Sequence, residues 1–472
     1  MKTLKAILKR AIPFALALCM LAVLASCSGA LKSGTDKAPG GMSYSGRSSS
    51  GRKTDGGVHY DVEGVADAAA ARDGAGYYEE AAEGLPPTEA GVDEDAAGEA
   101  EEKLIDENKV LMAGQITAGA QDDNRYYAQW LKLFAEGDGQ TEAGKFLSYK
   151  SANWGMNSQR RIVLTVTCQD APVANAQVVC RDADQTAVFS AVTNASGVAY
   201  LFPGTGAGTV TVTSGSGTAS VAYTAEDDTL AVALETSAAK GDVIDLMFVV
   251  DVTGSMGDEI RYLQAEMRDV IQQVSAANAN ATVNLAFLFY RDKDDRVPFK
   301  YVNFSDVTNE KNLKKQLEEL DKQSADGGGD YEEAVDEALE MAMSKNWSPN
   351  STKLLFLVLD APAHNGQIYQ TRFANAVRSA EEQGIRICPI LASGADMDCE
   401  YTTRSAAIMT GGTFVFITND SGIGGDHYDP DLPNVTIEYL NACLIRLING
   451  YHTGTFADPV AWNAKTPTAE QQ

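Results

Sequence analysis

The region from residue 241 to residue 452 is constrained most by a repeating order of apolar runs and amphipathic helical patterns. Residues 243–250 form an apolar run that only Asp245 interrupts, and residues 256–274 have the apolar spacing of an amphipathic helix. Uninterrupted apolar runs are typical of strands that are buried on both faces. The pattern continues with predicted strands at 283–290, 353–359, 385–391 and 413–417, and with predicted helices at 312–320, 331–344, 371–383 and 435–448. This alternation predicts a doubly wound, mostly parallel α/β sheet over 241–452, with its binding crevice at the carboxyl ends of the strands.

Polar side chains leave two of these strands at the edge where the crevice is expected. Asp251, Thr253 and Ser255 follow the first apolar run, and Asp360 follows the run at 353–359. Carboxylate and hydroxyl oxygens without thiolate or imidazole suit a hard divalent ion, so we predict Mg²⁺, with Mn²⁺ or Ca²⁺ as alternatives. The four histidines of the chain are scattered, which argues against a His-rich zinc site.

These motifs resemble the von Willebrand factor type A domain, whose metal-ion-dependent adhesion site combines Asp-x-Ser-x-Ser with a Thr and a second Asp from separate loops. The resemblance covers about residues 242–451 and implies that Asp251, Thr253, Ser255 and Asp360 surround a metal ion. A subgroup of bacterial and alpha-kinase-linked A domains is more similar still. It shares Asp-x-Thr-Gly-Ser-Met, Tyr-Arg-Asp at 290–292, Gly-Gly-Gly-Asp at 327–330 and Asp-Ala-Pro at 360–362.

The Thr of this family pattern is missing, because the position that it usually occupies aligns with Gly329. The nearest oxygen ligand is then Asp330. Asp330 also stands three residues before Glu333, which is the spacing of a capping box for the helix predicted at 331–344. The sequence leaves both roles of Asp330 open, as a metal ligand or as a helix cap.

The first 26 residues have the layout of a secretory signal peptide, with a basic start, an apolar run and then small residues. The apolar run is shorter than the roughly 20 residues that a membrane-spanning helix needs. Leu24-Ala25-Ser26-Cys27 resembles the bacterial lipobox, which implies that residues 1–26 are a lipoprotein signal peptide and that the Cys27 thiol carries lipid. We therefore expect a cell-envelope protein, anchored by lipid to a bacterial membrane outside the cytoplasm.

The segments around the predicted domains carry weaker patterns. Residues 27–108 are rich in Gly, Ser, Ala and acidic residues without apolar periodicity, which predicts a disordered tether. Residues 109–158 predict a short helical or irregular segment whose aromatic stripe, which includes Trp130 and Phe134, packs against the next domain. Residues 453–472 are a C-terminal tail.

Residues 159–236 have a third character. Six or seven short runs of alternating or β-branched residues, separated by Gly, Asn, Asp and Ser, predict a small β-sandwich. The segments at 171–176 and 193–202 resemble the carboxypeptidase-regulatory-like or bacterial immunoglobulin-like modules of surface proteins. That resemblance implies a structural spacer without chemistry of its own.

Charge and cysteine content restrict the partners and the covalent framework. The formal net charge of −27 argues against a nucleic-acid partner, since phosphate binding needs a basic surface. When Cys19 in the signal peptide and Cys27 are set aside, five of the seven cysteines remain. An odd number of cysteines does not indicate a disulfide scaffold.

Three functions fit these observations. The leading hypothesis is a surface lipoprotein that binds another protein, with an acidic side chain of the partner completing the coordination of the A-domain metal. The second is a structural envelope component whose metal only stabilises the fold. The third is a metal-dependent hydrolase, but no catalytic ordering or phosphate-binding loop is recognisable, so we expect no enzyme activity and no catalytic residues.

Overall fold

The structure is a computed structural model that describes residues 116–137, 143–152, 154–419, 427, 430, 432 and 435–463. The predicted signal peptide, the lipidation site Cys27 and the predicted tether lie outside the described residues, and so do residues 464–472 of the tail. Within the described ranges, no helix is long and apolar enough to cross a membrane.

The described chain begins with strand β1 (Thr117–Gln121) and two short helices, α1 (Tyr127–Lys132) and α2 (Tyr149–Ala152). Strand β1 departs from the helical or irregular segment predicted for 109–158. The aromatic side chains of this segment are core residues, as predicted: Trp130 and Phe134 are buried, and Trp130 packs edge to face on Phe146 with 5.9 Å between the ring centroids. Phe146 in turn packs on Tyr401 at 5.3 Å, so the segment is fixed to a helix of the region 241–452, whereas the prediction named the next domain as its packing partner.

The next part of the chain forms two four-stranded sheets. In the first, β2 pairs with β3, β6 and β9, and the order of the second is β5-β4-β7-β8. The sheets share buried apolar side chains such as Leu164 and Val178, which supports the predicted sandwich architecture. The strands are β2 (Ile162–Cys168), β3 (Ala171–Pro172), β4 (Gln177–Asp182), β5 (Ala187–Val192), β6 (Val198–Leu201), β7 (Gly208–Ser214), β8 (Gly217–Tyr223) and β9 (Thr229–Leu234).

The remainder alternates strands and helices as the apolar pattern predicts. The strands are β10 (Val243–Asp251), β11 (Thr282–Tyr290), β12 (Phe299–Asp306), β13 (Thr352–Leu359), β14 (Ile385–Leu391), β15 (Phe414–Ile417) and β16 (Glu438–Tyr439). The helices are α3 (Gly257–Ala277), α4 (Glu310–Asp321), α5 (Val335–Met343), α6 (Gln367–Gln383), α7 (Met397–Thr410) and α8 (Leu440–Thr453). Helix α7 and strand β12 lie where the sequence predicted no element.

One eight-stranded sheet organises this region, in the order β12-β11-β10-β13-β14-β15-β1-β16. The five central strands, β11, β10, β13, β14 and β15, are parallel to one another. The outer strands β12, β1 and β16 pair with their neighbours in the antiparallel sense. The sheet is therefore parallel only at its centre. Strand β1 precedes the sandwich in the sequence, whereas the other strands of this sheet follow it. The sandwich is therefore inserted between two strands of one sheet.

Both faces of the sheet are covered, which is the doubly wound arrangement. Along β10, Leu246 and Phe248 belong to a buried cluster that includes residues of α3, α4 and α8. The alternate residues Met247 and Val249 belong to the other cluster, with residues of α5, α6 and α7. Because successive side chains of a strand point to opposite faces, three helices lie on each face.

Candidate functional site

The loop between β10 and α3 holds the first three predicted site residues. Asp251 ends β10 and is fully buried, and its Oδ1 accepts hydrogen bonds from the Thr253 backbone N–H at 2.9 Å and from the Thr253 hydroxyl at 2.7 Å. Ser255 is exposed on a following 3₁₀ turn, Gly254–Met256. These side chains leave β10 at its carboxyl end, which is the predicted edge of the sheet.

Asp360 joins them from a second loop. It follows β13, which pairs in parallel with β10, so the two loops leave the sheet at the same edge. Burial raises the pKa of Asp360, and the Ser255 hydroxyl lies close enough to lower it in part. Burial first, and then the charge of Asp360, raise the pKa of Asp251 to about 7. The four residues Asp251, Thr253, Ser255 and Asp360 are thus brought together.

A glycine-rich loop before α5 completes the edge. The Asp326 N–H donates to the Val252 carbonyl at 3.1 Å, and the Gly254 N–H donates to the Gly327 carbonyl at 3.3 Å. Gly327 and Gly328 have positive φ angles of +83° and +79°, which favour glycine. Two backbone hydrogen bonds therefore hold this loop against the loop that carries Thr253 and Ser255.

The buried carboxylates of the site differ from a structural carboxylate of the same strand. The oxygens of Asp245, also fully buried on β10, accept hydrogen bonds from Asn284 Nδ2, Ser348 N, Ser348 Oγ and Ser351 Oγ. By contrast, Asp251 Oδ2 and Asp360 Oδ1 are buried without a hydrogen-bond partner. The Tyr290 hydroxyl lies near enough to lower the pKa of Asp251, but outside hydrogen-bonding geometry. Unpartnered buried oxygens are costly, so a cation at this edge of the sheet would stabilise both carboxylates.

Residues 245–417 match the family model described as von Willebrand factor A domain. This part of the chain is an A domain. The match confirms the family resemblance for these residues, a range that includes Asp251 and Asp360. It does not extend to the sandwich or to the N-terminal segment.

One curated protein and one solved structure are similar to parts of this chain. The Alpha-protein kinase vwkA of Dictyostelium discoideum is 23% identical over 171 residues, which cover 34% of this chain and 25% of that protein. The chain thus spans about a quarter of the length of this curated relative. Among solved structures, the pilus adhesin SpaC from Lactobacillus rhamnosus GG has 12% sequence identity and a TM-score of 0.29, over 44% of this chain and 29% of that one.

Glu333 is a member of the A-domain site that the sequence did not identify as one. Its side chain is 4% exposed, Oε2 has no hydrogen-bond partner, and Oε1 lies 3.0 Å from where a Cβ on Gly328 would stand. That same Cβ would lie 3.3 Å from the Cβ of Thr253. Burial first, and then the charge of Asp251, raise the pKa of Glu333 to about 9. Glu333 therefore adds a third buried carboxylate beside Thr253.

Asp330 is not a helix cap. Helix α5 begins at Val335, four residues later than predicted, and its N-cap is Ala334. The helix starts late because the Glu333 N–H donates a hydrogen bond to the Pro362 carbonyl at 3.0 Å. Asp330 itself is exposed. Its carboxylate lies within 4.8 Å of ligand atoms of Asp292 and His364, so the structure places it in a separate group.

The donor set of the A-domain site fits a hard divalent cation. Asp251 and Asp360 do not belong to any cluster of three Asp, Glu, His or Cys residues whose ligand atoms lie within 4.8 Å of one another, among the residues that the structure describes. A cation at this edge would therefore depend on the hydroxyl oxygens of Thr253 and Ser255. The Thr253 hydroxyl proton points to Asp251, which leaves the lone pairs of that oxygen available to a cation.

Proposed function

We propose that this chain is a cell-envelope lipoprotein whose A domain binds a protein partner through a divalent metal ion, in adhesion or in a related contact. The observation that carries the proposal is the donor geometry of Thr253 and Asp251. The carboxylate holds the hydroxyl proton, while its own second oxygen is buried without a partner. Such a pair gains most from a cation placed at the hydroxyl oxygen.

The proposed cation is Mg²⁺, with Mn²⁺ or Ca²⁺ as alternatives, because every donor is an oxygen. Thr253 and Ser255 would hold it, with Asp251 and Asp360 balancing its charge directly or through water. Neutral hydroxyl ligands leave much of the positive charge on the ion. The partner that such an ion recognises best is an acidic side chain, a Glu or Asp of another protein.

Two further features belong to this proposal. The lipobox-like motif at Cys27 supports a lipid anchor that places the A domain outside the cytoplasm. The proposed role is binding and not catalysis, because the sequence carries no recognisable catalytic ordering of residues and no phosphate-binding loop. The kinase activity in the name of the Dictyostelium relative belongs to a protein of which this chain spans a quarter.

Metal-dependent capture tests the proposal. The immobilised chain is exposed to bacterial envelope extract in Mg²⁺, in EDTA, and in EDTA followed by excess Mg²⁺. We expect a partner that is retained in Mg²⁺, released by EDTA and recovered on Mg²⁺ addition. Asp251→Ala should retain none of it, while Glu318→Gln, which removes one exposed charge of α4, should behave as wild type. Equal capture by wild type and Asp251→Ala would refute metal-mediated binding and favour the purely structural role.

A further inference from the structure

Three polar side chains beside the A-domain site form a second group. Asp292 follows β11, Asp330 lies in the glycine-rich loop and His364 follows β13, and one ligand atom of each lies within 4.8 Å of the others. Asp292 is 4% exposed and His364 is 8% exposed, whereas Asp330 is open to solvent. None of the three is a ligand in the proposed A-domain site.

The orientation of His364 points to a cation. Its Nδ1 lies 3.3 Å from the Glu333 carbonyl oxygen, which only accepts hydrogen bonds, so Nδ1 carries the proton. In the neutral ring, Nε2 then presents a lone pair, and it lies 3.2 Å from the carboxylate Oδ1 of Asp292. Two acceptors at this distance need positive charge between them, which a second ring proton, the Lys293 ammonium or a metal ion can supply. A ring proton on a backbone carbonyl is also the usual arrangement of a metal-bound histidine.

Lys293 marks where that positive charge lies. Its ammonium contacts His364 Nε2 and lies 3.6 Å from Asp292 Oδ1. The lysine side chain is 30% exposed, and its long stem can carry the ammonium outward into solvent. A divalent ion would bring two positive charges to two carboxylates, where the ammonium brings one.

Glu333, which belongs to the A-domain site, also contacts this second group. Its carboxylate is nine-tenths buried and keeps Oε2 without a hydrogen-bond partner. The Glu333 backbone carbonyl lies 3.3 Å from His364 Nδ1, so this residue contacts the second group through its backbone. A cation nearby would stabilise the unpartnered carboxylate oxygen.

We propose that Asp292, Asp330 and His364 form a second divalent-cation site, selective for Zn²⁺ over Mg²⁺, at which the ion replaces the Lys293 ammonium. The imidazole nitrogen sets the selectivity, because zinc accepts nitrogen ligands readily and Mg²⁺ prefers oxygen. Three protein ligands leave a coordination position for water. The site shares no ligand with the A-domain site.

Zinc titration of the whole chain in excess Mg²⁺ tests this proposal. We expect calorimetry and metal analysis to find one Zn²⁺ bound per chain in wild type and also in Asp251→Ala, which lacks only the first site. His364→Gln and Asp330→Asn should weaken Zn²⁺ at least about tenfold while keeping the Mg²⁺ response. Asp294→Asn removes an exposed neighbouring charge and is the matched control.

A variant that is expected to bind Zn²⁺ more tightly tests whether the weaker binding of the other variants is caused by misfolding. Lys293→Gln removes the competing ammonium, so it should tighten Zn²⁺ several-fold and enlarge the zinc-induced rise in melting temperature. Nitrogen NMR of the wild type should show Zn²⁺ shifting His364 Nε2. Absence of stoichiometric Zn²⁺ binding, or equal Zn²⁺ affinity in wild type, His364→Gln and Lys293→Gln, would overturn the second site. Neither outcome bears on partner capture in Mg²⁺.

Discussion

Thr253 donates both its backbone N–H and its hydroxyl to one carboxylate oxygen of Asp251, at 2.9 and 2.7 Å. The first bond fixes the turn that follows β10, and the second fixes the direction of the hydroxyl proton. With the proton held by the carboxylate, the Thr253 oxygen can face a cation only with its lone pairs. The local hydrogen bond and the proposed metal site are therefore two uses of one arrangement.

Replacing Thr253 with Val should separate these two uses. Valine has nearly the same shape but no hydroxyl, so the backbone bond to Asp251 persists and the metal ligand is lost. We expect metal-free stability to fall by about 1 kcal/mol and the Mg²⁺-induced rise in melting temperature to vanish. Thr253→Ser keeps the hydroxyl and should keep the Mg²⁺ response. A Mg²⁺ response of wild-type size in the valine variant would show that this hydroxyl is no ligand.

Glu333 should give the metal-free protein a distinctive pH dependence. Its pKa rises from 4.5 to about 9 on folding, so the folded chain holds a proton that the unfolded chain loses across this range. The free energy of unfolding should therefore fall as pH rises from about 5 to about 9. Glu333→Gln removes this contribution, and the variant should be the more stable of the two at about pH 8 without metal. Urea unfolding at several pH values in EDTA measures the effect.

Mg²⁺ should act on wild type in the opposite direction. Metal favours ionised carboxylates, so the stabilisation by Mg²⁺ should grow as pH rises, and it should be smaller in Glu333→Gln. The neighbouring Glu332→Gln removes one charge outside the buried site and is the control. If Glu333→Gln follows the same pH curve as wild type in EDTA, the carboxylate is not held in the environment that the structure shows.

The sequence predicted the elements that are defined by uninterrupted apolar runs. Strand β14 was predicted with its observed bounds, and the residues that follow β10 and β13 were placed at one edge because parallel strands share their carboxyl ends. Strand β1, with the sequence Thr-Ala-Gly-Ala-Gln, has no such run. Its partner strands are supplied by residues about 300 positions away, as the pairing of Ala118 with Ile417 shows, so tertiary contacts decide its structure.

The site residue Glu333 was missed for a related reason. Its spacing from Asp330 satisfied a local rule for helix starts, whereas a backbone bond to the Pro362 carbonyl delays the helix to Val335. A local pattern cannot register a competitor that comes from another loop. The same limitation hid the group of Asp292 and His364, which are separated by 72 positions and meet only in the fold.

Strand β1 should be essential for A-domain stability although it precedes the sandwich. A Cβ on Gly119 would stand 2.4 Å from Phe416 Cζ and 2.7 Å from Val435 Cγ1, so Gly119→Ala should lower the free energy of unfolding by about 1–3 kcal/mol. Gly206→Ala is the control, since its added Cβ has no neighbour within 4 Å. Equal unfolding midpoints of the two variants would mean that β1 does not pack in the sheet in solution.

Cys27 should determine where the protein resides. If it carries lipid, Cys27→Ser should release the protein from membranes or leave the signal peptide uncleaved, because no thiol is present to be acylated. Fractionation of cells that express each form, followed by mass measurement of the N-terminus, checks this. Detergent-dependent membrane association of Cys27→Ser at the wild-type level would contradict the lipid anchor.

The glycine-rich loop should tolerate a side chain at Gly329 but not at Gly327. Gly327 has a φ of +83°, and a Cβ there would stand 2.7 Å from Asp295 Oδ1, so Gly327→Ala should cost about 1–3 kcal/mol of stability and weaken Mg²⁺ binding. A Cβ on Gly329 meets nothing within 4 Å, and Gly329→Ala should change stability by less than about 0.5 kcal/mol.

Because Gly329 aligns with the Thr of the family pattern, Gly329→Thr would add a neutral oxygen at an open position. We expect calorimetry to show tighter Mg²⁺ binding in Gly329→Thr than in Gly329→Ala. Equal affinities in those two variants would mean that this loop supplies no ligand and that Thr253 and Ser255 hold the ion without it.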